Sequence, residues 1–198
     1  MKPYEIIGTP LVLYFAPEGT VFPALGTEPP EPWVKVGTNG AANYDDTGVT
    51  VEHSQTIEVA RPAGTTGAVK AWRTEENMMI GVTLWDLTLE QYAAALNDAT
   101  VNTTAAGAGT PGTKSMGLSQ GLEVRTHALL ARGTSPYGPQ WQAQYEVPRC
   151  YQSGNPNPVY RKGNPAGLAL QFAALEDLEA ASEAERFGRL IAQHQAAI

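Results

Sequence analysis

The sequence predicts a mainly β fold of antiparallel strands, with one central helix, one C-terminal helix and long loops. Gly (20) and Pro (15) are abundant among the 198 residues, which is typical of a β protein with many turns. Several apolar runs alternate with a period of two, whereas only two segments show helical spacing. The length allows one domain with a substantial core, and no clear linker divides the chain.

The clearest prediction is an antiparallel strand pair over about residues 50–86. In GVTVEHSQTIEV (48–59), every second residue is polar, so that one face of the strand is expected to be wet. The returning strand lies in VKAWRTEENMMIGVTLWDLT (69–88) and has one apolar face. The polar face consists of Thr50, Glu52, Ser54, Thr56 and Glu58, and the apolar face of Met78, Ile80, Val82 and Leu84.

Two helices are predicted from capping boxes and apolar stripes. Thr88 opens TLEQYAAALN, and Gln91 stands three residues later, which predicts a helix over about 88–97. A second capping box, Ser182 to Glu185, precedes an apolar stripe of Phe187, Leu190 and Ile191, which predicts a C-terminal helix over about 177–195. The chain is therefore divided into a β domain, residues 1–175, and a helical extension, residues 176–198.

Five further segments have the composition of strands, and three long segments read as loops. Pro148 interrupts one of the strands and suggests an edge or an irregularity there. The loops are a proline-rich segment at 20–32, a turn-rich segment at 40–48, and a small, polar segment at 101–117 that is a flexible loop or a mobile hairpin arm. The strands are expected within PLVLYFAP (10–17), WVKVGT (33–38), GLEVRTHALLARG (121–133), WQAQYEVPRCYQ (141–152) and PAGLALQFAAL (165–175).

Composition argues against several classes of protein. The net charge of −7 argues against a protein that grips nucleic-acid phosphates, although it allows one that nucleic acid slides past. The single cysteine, Cys150, is expected to be a buried apolar group and not a nucleophile. The N-terminus does not have the pattern of a signal peptide, and no apolar run is long enough for a membrane anchor.

The sequence offers no catalytic, metal-binding or cofactor-binding signature. His53, His127 and His194 are not at the spacings that bind metals, and the two strand histidines are expected to be satisfied by neighbours. Asp45–Asp46 lies in turn chemistry, and Glu75–Glu76 is read as a solvated edge where a turn meets a strand. GAGTPG (107–112) lacks the lysine of a phosphate loop. We therefore expect no enzyme activity, no metal and no cofactor.

The order and style of these elements resemble the tail tube proteins of long-tailed bacteriophages and related phage-like particles. The resemblance is carried by GVTVEHSQTIEV, AWRTEENMMIGVTLWDLTLEQYAAALN, GLEVRTHALLARG, QYEVP and KGNPAGLALQFAAL, and it covers roughly residues 6–175. It implies a β-sandwich or partly closed barrel with a flanking helix. It also implies a virion protein, made in the bacterial cytoplasm, that forms rings, of six subunits in this family, which stack into a hollow tube.

In a tube of this kind, the polar strand face would line the channel. Thr50, Glu52, Thr56 and Glu58 are the candidate lumen-facing residues, because carboxylates facing DNA keep it from sticking. The implied partners are the chain itself, the tape measure protein, the tail terminator and the distal tail protein, while DNA passes without specific binding. The three long loops would reach between rings.

Three alternatives remain open at this stage. Another ring-forming tail protein, such as a terminator or connector, would have a related fold. A soluble β-sandwich module could bind carbohydrate by stacking sugars on Trp33, Trp72, Trp85 or Trp141. An enzyme is the third alternative, for which the sequence names no catalytic residue.

Overall fold

The structure, a computed structural model, describes Lys2 and residues 8–195 of the chain. Ten strands and one α-helix follow each other in this part, and short 3-10 helices span Gly40–Asn43 and Glu183–Glu185. The elements are β1 (Val12–Pro17), β2 (Val34–Lys35), β3 (Tyr44–Ala60), β4 (Lys70–Leu84), α1 (Leu89–Ala95), β5 (Val101–Thr104), β6 (Thr113–Met116), β7 (Thr126–Ser135), β8 (Gly138–Gln152), β9 (Leu168–Ala174) and β10 (Arg189–Ala192).

Eight of these strands form one antiparallel sheet, in the order β2-β1-β7-β8-β9-β4-β3, with β10 also paired to β8. Strands β5 and β6 form a separate hairpin. The predicted mainly β, antiparallel fold with a flanking helix is thus confirmed. The sheet is open, with β2 and β3 at its two ends, so it does not close into a barrel.

Strand β8 has two different neighbours along one of its edges. Its first part pairs with β10 at Ala143–Glu146, and its last part pairs with β9 at Cys150–Gln152. Pro148 lies between these two stretches, opposite a register shift in the β7 pairing. Proline lacks a backbone N–H, so it is tolerated at this point, where the ladders on either side of β8 are interrupted. The predicted irregularity at Pro148 is confirmed.

The core lies between the two halves of this sheet. Leu13, Leu129 and Val147 come from the β1–β7–β8 half, and Ile80 and Leu170 from the β9–β4 half, and all belong to one buried cluster. The opposite face of β1 and β7 is covered by a second cluster around Trp33. Strand β7 is therefore buried on both faces, which explains its apolar run HALLA.

The proline-rich segment 20–32 is held against its own sheet by buried polar side chains. The guanidinium of Arg132 donates to the Gln144 Oε1 atom at 2.6 and 2.9 Å and to backbone carbonyls of the segment, including that of Ala24 at 3.2 Å. The Gln144 Nε2 atom donates to the Pro23 carbonyl at 2.9 Å. These hydrogen bonds satisfy backbone carbonyls of an extended segment that has no strand partner of its own.

Helix α1 begins as its sequence predicts. The Thr88 hydroxyl accepts a hydrogen bond from the Gln91 backbone N–H at 3.3 Å, which is the first half of the capping box. The second half does not form, because the Gln91 side chain accepts instead from the Gly37 backbone N–H at 3.0 Å. Gln91 thus ties the first turn of the helix to the turn after β2.

A clasp at Asn97 closes the excursion of chain that contains the β5–β6 hairpin. Asn97 and Asp98 both have positive φ angles, 60° and 56°, a conformation that Asn and Asp tolerate better than most residues. The Asn97 side chain donates to the carbonyls of Gln120 (2.8 Å) and Glu123 (2.7 Å), and accepts from the Arg125 N–H at 2.7 Å. The two ends of segment 98–124 therefore meet at one side chain.

The predicted C-terminal helix over 177–195 is wrong. The segment contains only one short 3-10 turn, Glu183–Glu185, and then strand β10, which pairs with β8. Ser182 makes no side-chain cap bond. Gly188 has a φ of 110°, which no α-helix accommodates, and a Cβ atom there would lie 2.0 Å from the Glu146 carbonyl oxygen. Pairing with the β8 edge overrides the local helical preference of this segment.

Several smaller predictions concern single residues. Cys150 is buried, as predicted, and burial raises the pKa of its thiol to about 12. The Asp45 carboxylate accepts from the Thr47 backbone N–H at 3.1 Å, which confirms its role in local turn chemistry.

In the described part of the chain, no helix is long and apolar enough to cross a membrane. The signal-peptide expectation concerns residues 1–10, most of which lie outside the described residues.

Candidate assembly surface

The far part of the β3–β4 hairpin projects from the body as an arm, residues 52–77. Strand β4 pairs with β9 only from Met79 to Leu84, so the hairpin beyond Met79 continues with no third strand from the described residues. Within the arm, Ala60 is half-buried and every other residue is exposed. At about 3.3 Å per residue, β4 extends about 30 Å beyond the last residue that it shares with β9.

A two-stranded ribbon of this length, solvated on both faces, is marginal by itself. Its strands are paired from Thr50↔Gly81 to Ala60↔Lys70, with one register shift between Thr56 and Ile57. The Arg73 side chain links the strands on one face, where its Nε atom donates to Gln55 Oε1 at 2.9 Å. The arm thus keeps a defined shape, but it buries almost none of its own side chains.

The four candidate lumen residues lie on one face of β3, and all four are exposed. Thr50 is opposite Gly81, and its Oγ1 atom lies 3.4 Å from the Gly81 carbonyl oxygen. The Thr56 hydroxyl donates to the Glu75 carboxylate at 3.3 Å. This face, which we call the polar face, comprises Thr50, Glu52, Ser54, Thr56, Glu58 and Ala60 of β3, with Gly81, Met79, Asn77, Glu75, Trp72 and Lys70 opposite them in turn.

Glu75 is a member of the polar face that sequence reasoning missed. The pair Glu75–Glu76 was expected where a turn meets a strand, but both residues lie in the middle of β4, paired with Thr56 and Gln55. The turn is instead at residues 61–69. The strand begins at Lys70, but its apolar alternation becomes visible only further along, so the periodicity of the sequence gave no signal for the first part of the strand. With Glu75, the face carries three carboxylates and the ammonium of Lys70.

Exposed apolar side chains accompany the polar ones on the arm. Ile57 is 50% exposed and Val59 is 40% exposed, both on the face opposite the polar face. Trp72 is 46% exposed and lies on the polar face, opposite Glu58. Single exposed apolar residues are ordinary, but Ile57 and Val59 lie side by side on one face of a projecting ribbon, where a neighbour could cover both.

The outer edge of β3 is open along the arm. In the described part of the chain, β3 has a strand partner on one side only. The Val69 N–H donates to the Ala60 carbonyl at 2.9 Å, so Ala60 directs its backbone groups toward the hairpin. Because the direction alternates along a strand, Val59, Ile57 and Gln55 direct theirs to the open edge, where another strand could pair.

The other long segments differ in how far they are available to a neighbour. Residues 20–32 are folded onto their own sheet, and residues 40–48 form a 3-10 turn and the start of β3. Residues 101–117 form the exposed β5–β6 hairpin, which is one of the two structures that the sequence allowed. The hairpin touches α1 through an ion pair between Lys114 and Glu90.

The described residues do not bring a metal-binding group together. His53 lies on the arm, whereas His127 lies on β7 with its Nε2 atom 3.1 Å from the Asp98 carboxylate. Among Lys2 and residues 8–195, no group of three or more His, Cys, Asp or Glu side chains could hold a metal ion. The described residues offer exposed faces and open strand edges, and most of their polar groups form hydrogen bonds within the chain.

The tryptophans do not form a common platform. Trp33 is 6% exposed and packs against Phe22 beneath the proline-rich segment. Trp72 and Trp85 are half-exposed, but they lie near opposite ends of β4, about 40 Å apart along the strand. Trp141 is half-buried on β8.

No protein-family model matches this chain, and no curated protein matches it at a significant level.

Proposed function

We propose that this chain is a structural subunit that assembles with copies of itself into stacked rings, forming a hollow tube like the tail tubes of long-tailed bacteriophages. The single observation that supports it most is the β3–β4 arm, with its open edge, exposed apolar residues and continuous polar face. The proposal also rests on the sequence resemblance. It implies a place in a virion, without catalysis and without a cofactor.

The arm suits a head-to-tail contact between identical subunits. An open strand edge in a lone monomer invites uncontrolled pairing, and burying it in a ring removes that hazard. A heterologous contact closes into a ring when the rotation between subunits divides a full turn, and six is the number implied by the resemblance. In such a ring, Ile57 and Val59 would be covered by the neighbour, and the edge of β3 would gain a partner.

The polar face suits the wall of a channel. Glu52, Glu58 and Glu75 outnumber the one cation, Lys70, on that face, so it repels a polyanion instead of trapping it. The repulsion extends about 8–10 Å at physiological salt, which is enough to keep DNA from sticking while it passes. The tape measure protein would occupy the same channel before DNA, and the terminator and distal tail protein would close the two ends.

Electron microscopy of the purified protein over a range of concentrations tests the proposal. Stacked rings or hollow tubes are the expected result. Closed rings that never elongate would instead favour a terminator or connector. A protein that remains monomeric at every concentration, even after addition of preformed tail tips as initiators, would overturn both assignments.

A charge reversal on the polar face tests the channel wall. In tubes of the E52K/E58K variant, DNA is expected to be retained at low salt and released as the salt is raised, because clustered lysines bind phosphates. The matched control is E123K/E179K, which reverses two exposed carboxylates outside the arm. If both variants retain DNA equally, the polar face does not line the channel.

The carbohydrate-binding alternative gains no support from the positions of the tryptophans, since Trp33 is buried and the half-exposed pair is far apart. We therefore keep the tube as the leading proposal and the terminator or connector as the second, because both share the same arm and differ only in whether rings stack.

A further inference from the structure

The last segment of the chain, residues 176–195, is attached to the body in an unusual way. It carries a four-residue strand, β10, on the edge of β8, yet none of its residues is buried. Phe187 alone reaches the main core, as a half-buried neighbour of it. The segment therefore contributes little apolar burial, and its docked state lies at the low-stability end of the structure.

The edge that receives β10 consists, in contrast, mostly of buried residues with specific partners. The β8 residues opposite β10 include Ala143, Gln144 and Glu146, all of them buried. The Glu146 carboxylate is 3% exposed and has two partners: Gln144 Nε2 at 2.5 Å and the Arg189 Nε atom of β10 at 2.7 Å. Without β10, this carboxylate would lose its ion pair with Arg189 and keep Gln144 as its hydrogen-bond partner.

The chain must also bend in one particular way to reach this edge. Gly188 stands immediately before β10 and has a φ of 110°. An added Cβ atom would lie 2.0 Å from the Glu146 carbonyl oxygen. The acceptor edge thus selects a strand that carries glycine followed by arginine, and the sequence FGRL supplies that pair.

The connection to β10 is far longer than its present path requires. Leu175 bonds to the Arg149 carbonyl at 2.9 Å, and Arg189 lies opposite Glu146, three residues away on the same strand. That separation is about 10 Å. The thirteen residues 176–188 between them could extend to about 45 Å, so β10 has enough chain to reach another molecule.

We propose that β10 is an exchangeable strand: when copies of this chain assemble, β10 of one copy leaves its own β8 edge and docks on the β8 edge of a neighbour. A poorly buried donor strand and a specific acceptor edge suit such an exchange, and the long connection supplies the reach that it needs. Every contact that β10 makes in the single chain is reproduced between two copies, including Arg189 to Glu146. This inference rests on the proposed self-assembly, and it adds which segment links the subunits.

Disulfide trapping distinguishes the two dockings of β10. The Gln193 N–H bonds to the Gln142 carbonyl at 2.9 Å, so Ala192 and Ala143 form the adjacent non-hydrogen-bonded pair. Their Cα atoms are expected about 4.5 Å apart, within reach of a disulfide. The variant A143C/A192C in a C150A background is assembled, oxidised and then denatured without reductant. Y145C/L190C is a second pair at the next such position.

Exchange predicts a ladder of covalent multimers, whereas docking in the same chain predicts monomers with an internal cross-link. Rings or tubes that yield only internal cross-links overturn the exchange and leave the proposed function standing. Covalent multimers without rings or tubes support the exchange and count against the tube. A protein that stays monomeric with internal cross-links overturns both.

Substitutions in the acceptor contact give an independent readout. Because the same contact forms in both dockings, R189A is expected to lower the yield of the A143C/A192C cross-link at least about fivefold, within single chains and between copies alike. The matched control is R186A, which removes a half-buried arginine of the same segment whose carboxylate partners lie at 3.6 and 3.9 Å. Equal yields of covalent multimers in R189A, R186A and the parent variant would mean that β10 does not dock on a neighbour through this edge, and would overturn the proposal.

Discussion

Removing the exposed apolar groups of the arm should weaken assembly without affecting the monomer. The double variant I57A/V59A deletes side chains that are 50% and 40% exposed in the single chain. Burying the exposed parts of both against a neighbour would contribute about 2 kcal/mol, at about 0.8 kcal/mol per buried methylene. The concentration at which rings or tubes first appear should therefore rise about thirtyfold.

Sedimentation of assembled material over a concentration series measures this shift, and circular dichroism during heating checks that the monomer remains folded. The matched control is V159A/L122A, which removes apolar groups that are 56% and 105% exposed outside the arm and outside the three long loops. A shift of less than about threefold for the arm variant, or an equal shift for the control, would refute the burial of this surface on assembly.

Three further predictions concern the single chain. T88A removes the N-cap of α1 and should lower the free energy of unfolding by about 1 kcal/mol in urea titrations, which a melting temperature unchanged to within 1–2 °C would contradict. R132A leaves Gln144 and the carbonyls of the proline-rich segment without their donor, so a loss of about 3 kcal/mol is expected; a loss below about 1 kcal/mol would mean that water replaces the guanidinium. Burial raises the pKa of Cys150 from 9.0 and that of Tyr44 from 10.0, each to about 12. The free energy of unfolding should therefore be constant below about pH 9 and fall between about pH 9 and 12, because these groups ionise first in the unfolded chain. C150A should flatten the lower part of that fall.

The strand pair and the central helix were predictable because their signals are local. The apolar alternation at Met78, Ile80 and Val82 matches the buried face of β4, and Thr88 marks the helix N-cap. The polar face was likewise readable, since alternation assigns residues to a face without any knowledge of the neighbours. Whether that face lines a channel depends on other copies of the chain, and stays a prediction.

The C-terminal segment was not predictable in the same way. Its Ala- and Glu-rich sequence favours a helix locally, but strand β10 forms because the β8 edge is free over four residues and Glu146 needs a cation. Both causes lie more than forty residues away in the sequence. Gly188 was the one local sign, since a glycine in the middle of a predicted helix often marks a break. The network of Arg132 and Gln144 was missed for a similar reason, because its partners are backbone carbonyls of a distant loop.

The clasp at Asn97 fixes both ends of the segment that carries the β5–β6 hairpin. Because one side chain joins the start of segment 98–124 to its end, the length of the hairpin tip can change while the two ends of the segment stay fixed. The same property makes the hairpin tip, GAGTPG at 107–112, a natural insertion point for a foreign epitope or enzyme. If the chain assembles as proposed, one such graft would be repeated around and along the tube as a dense and regular display, while the sheet itself stays unaltered.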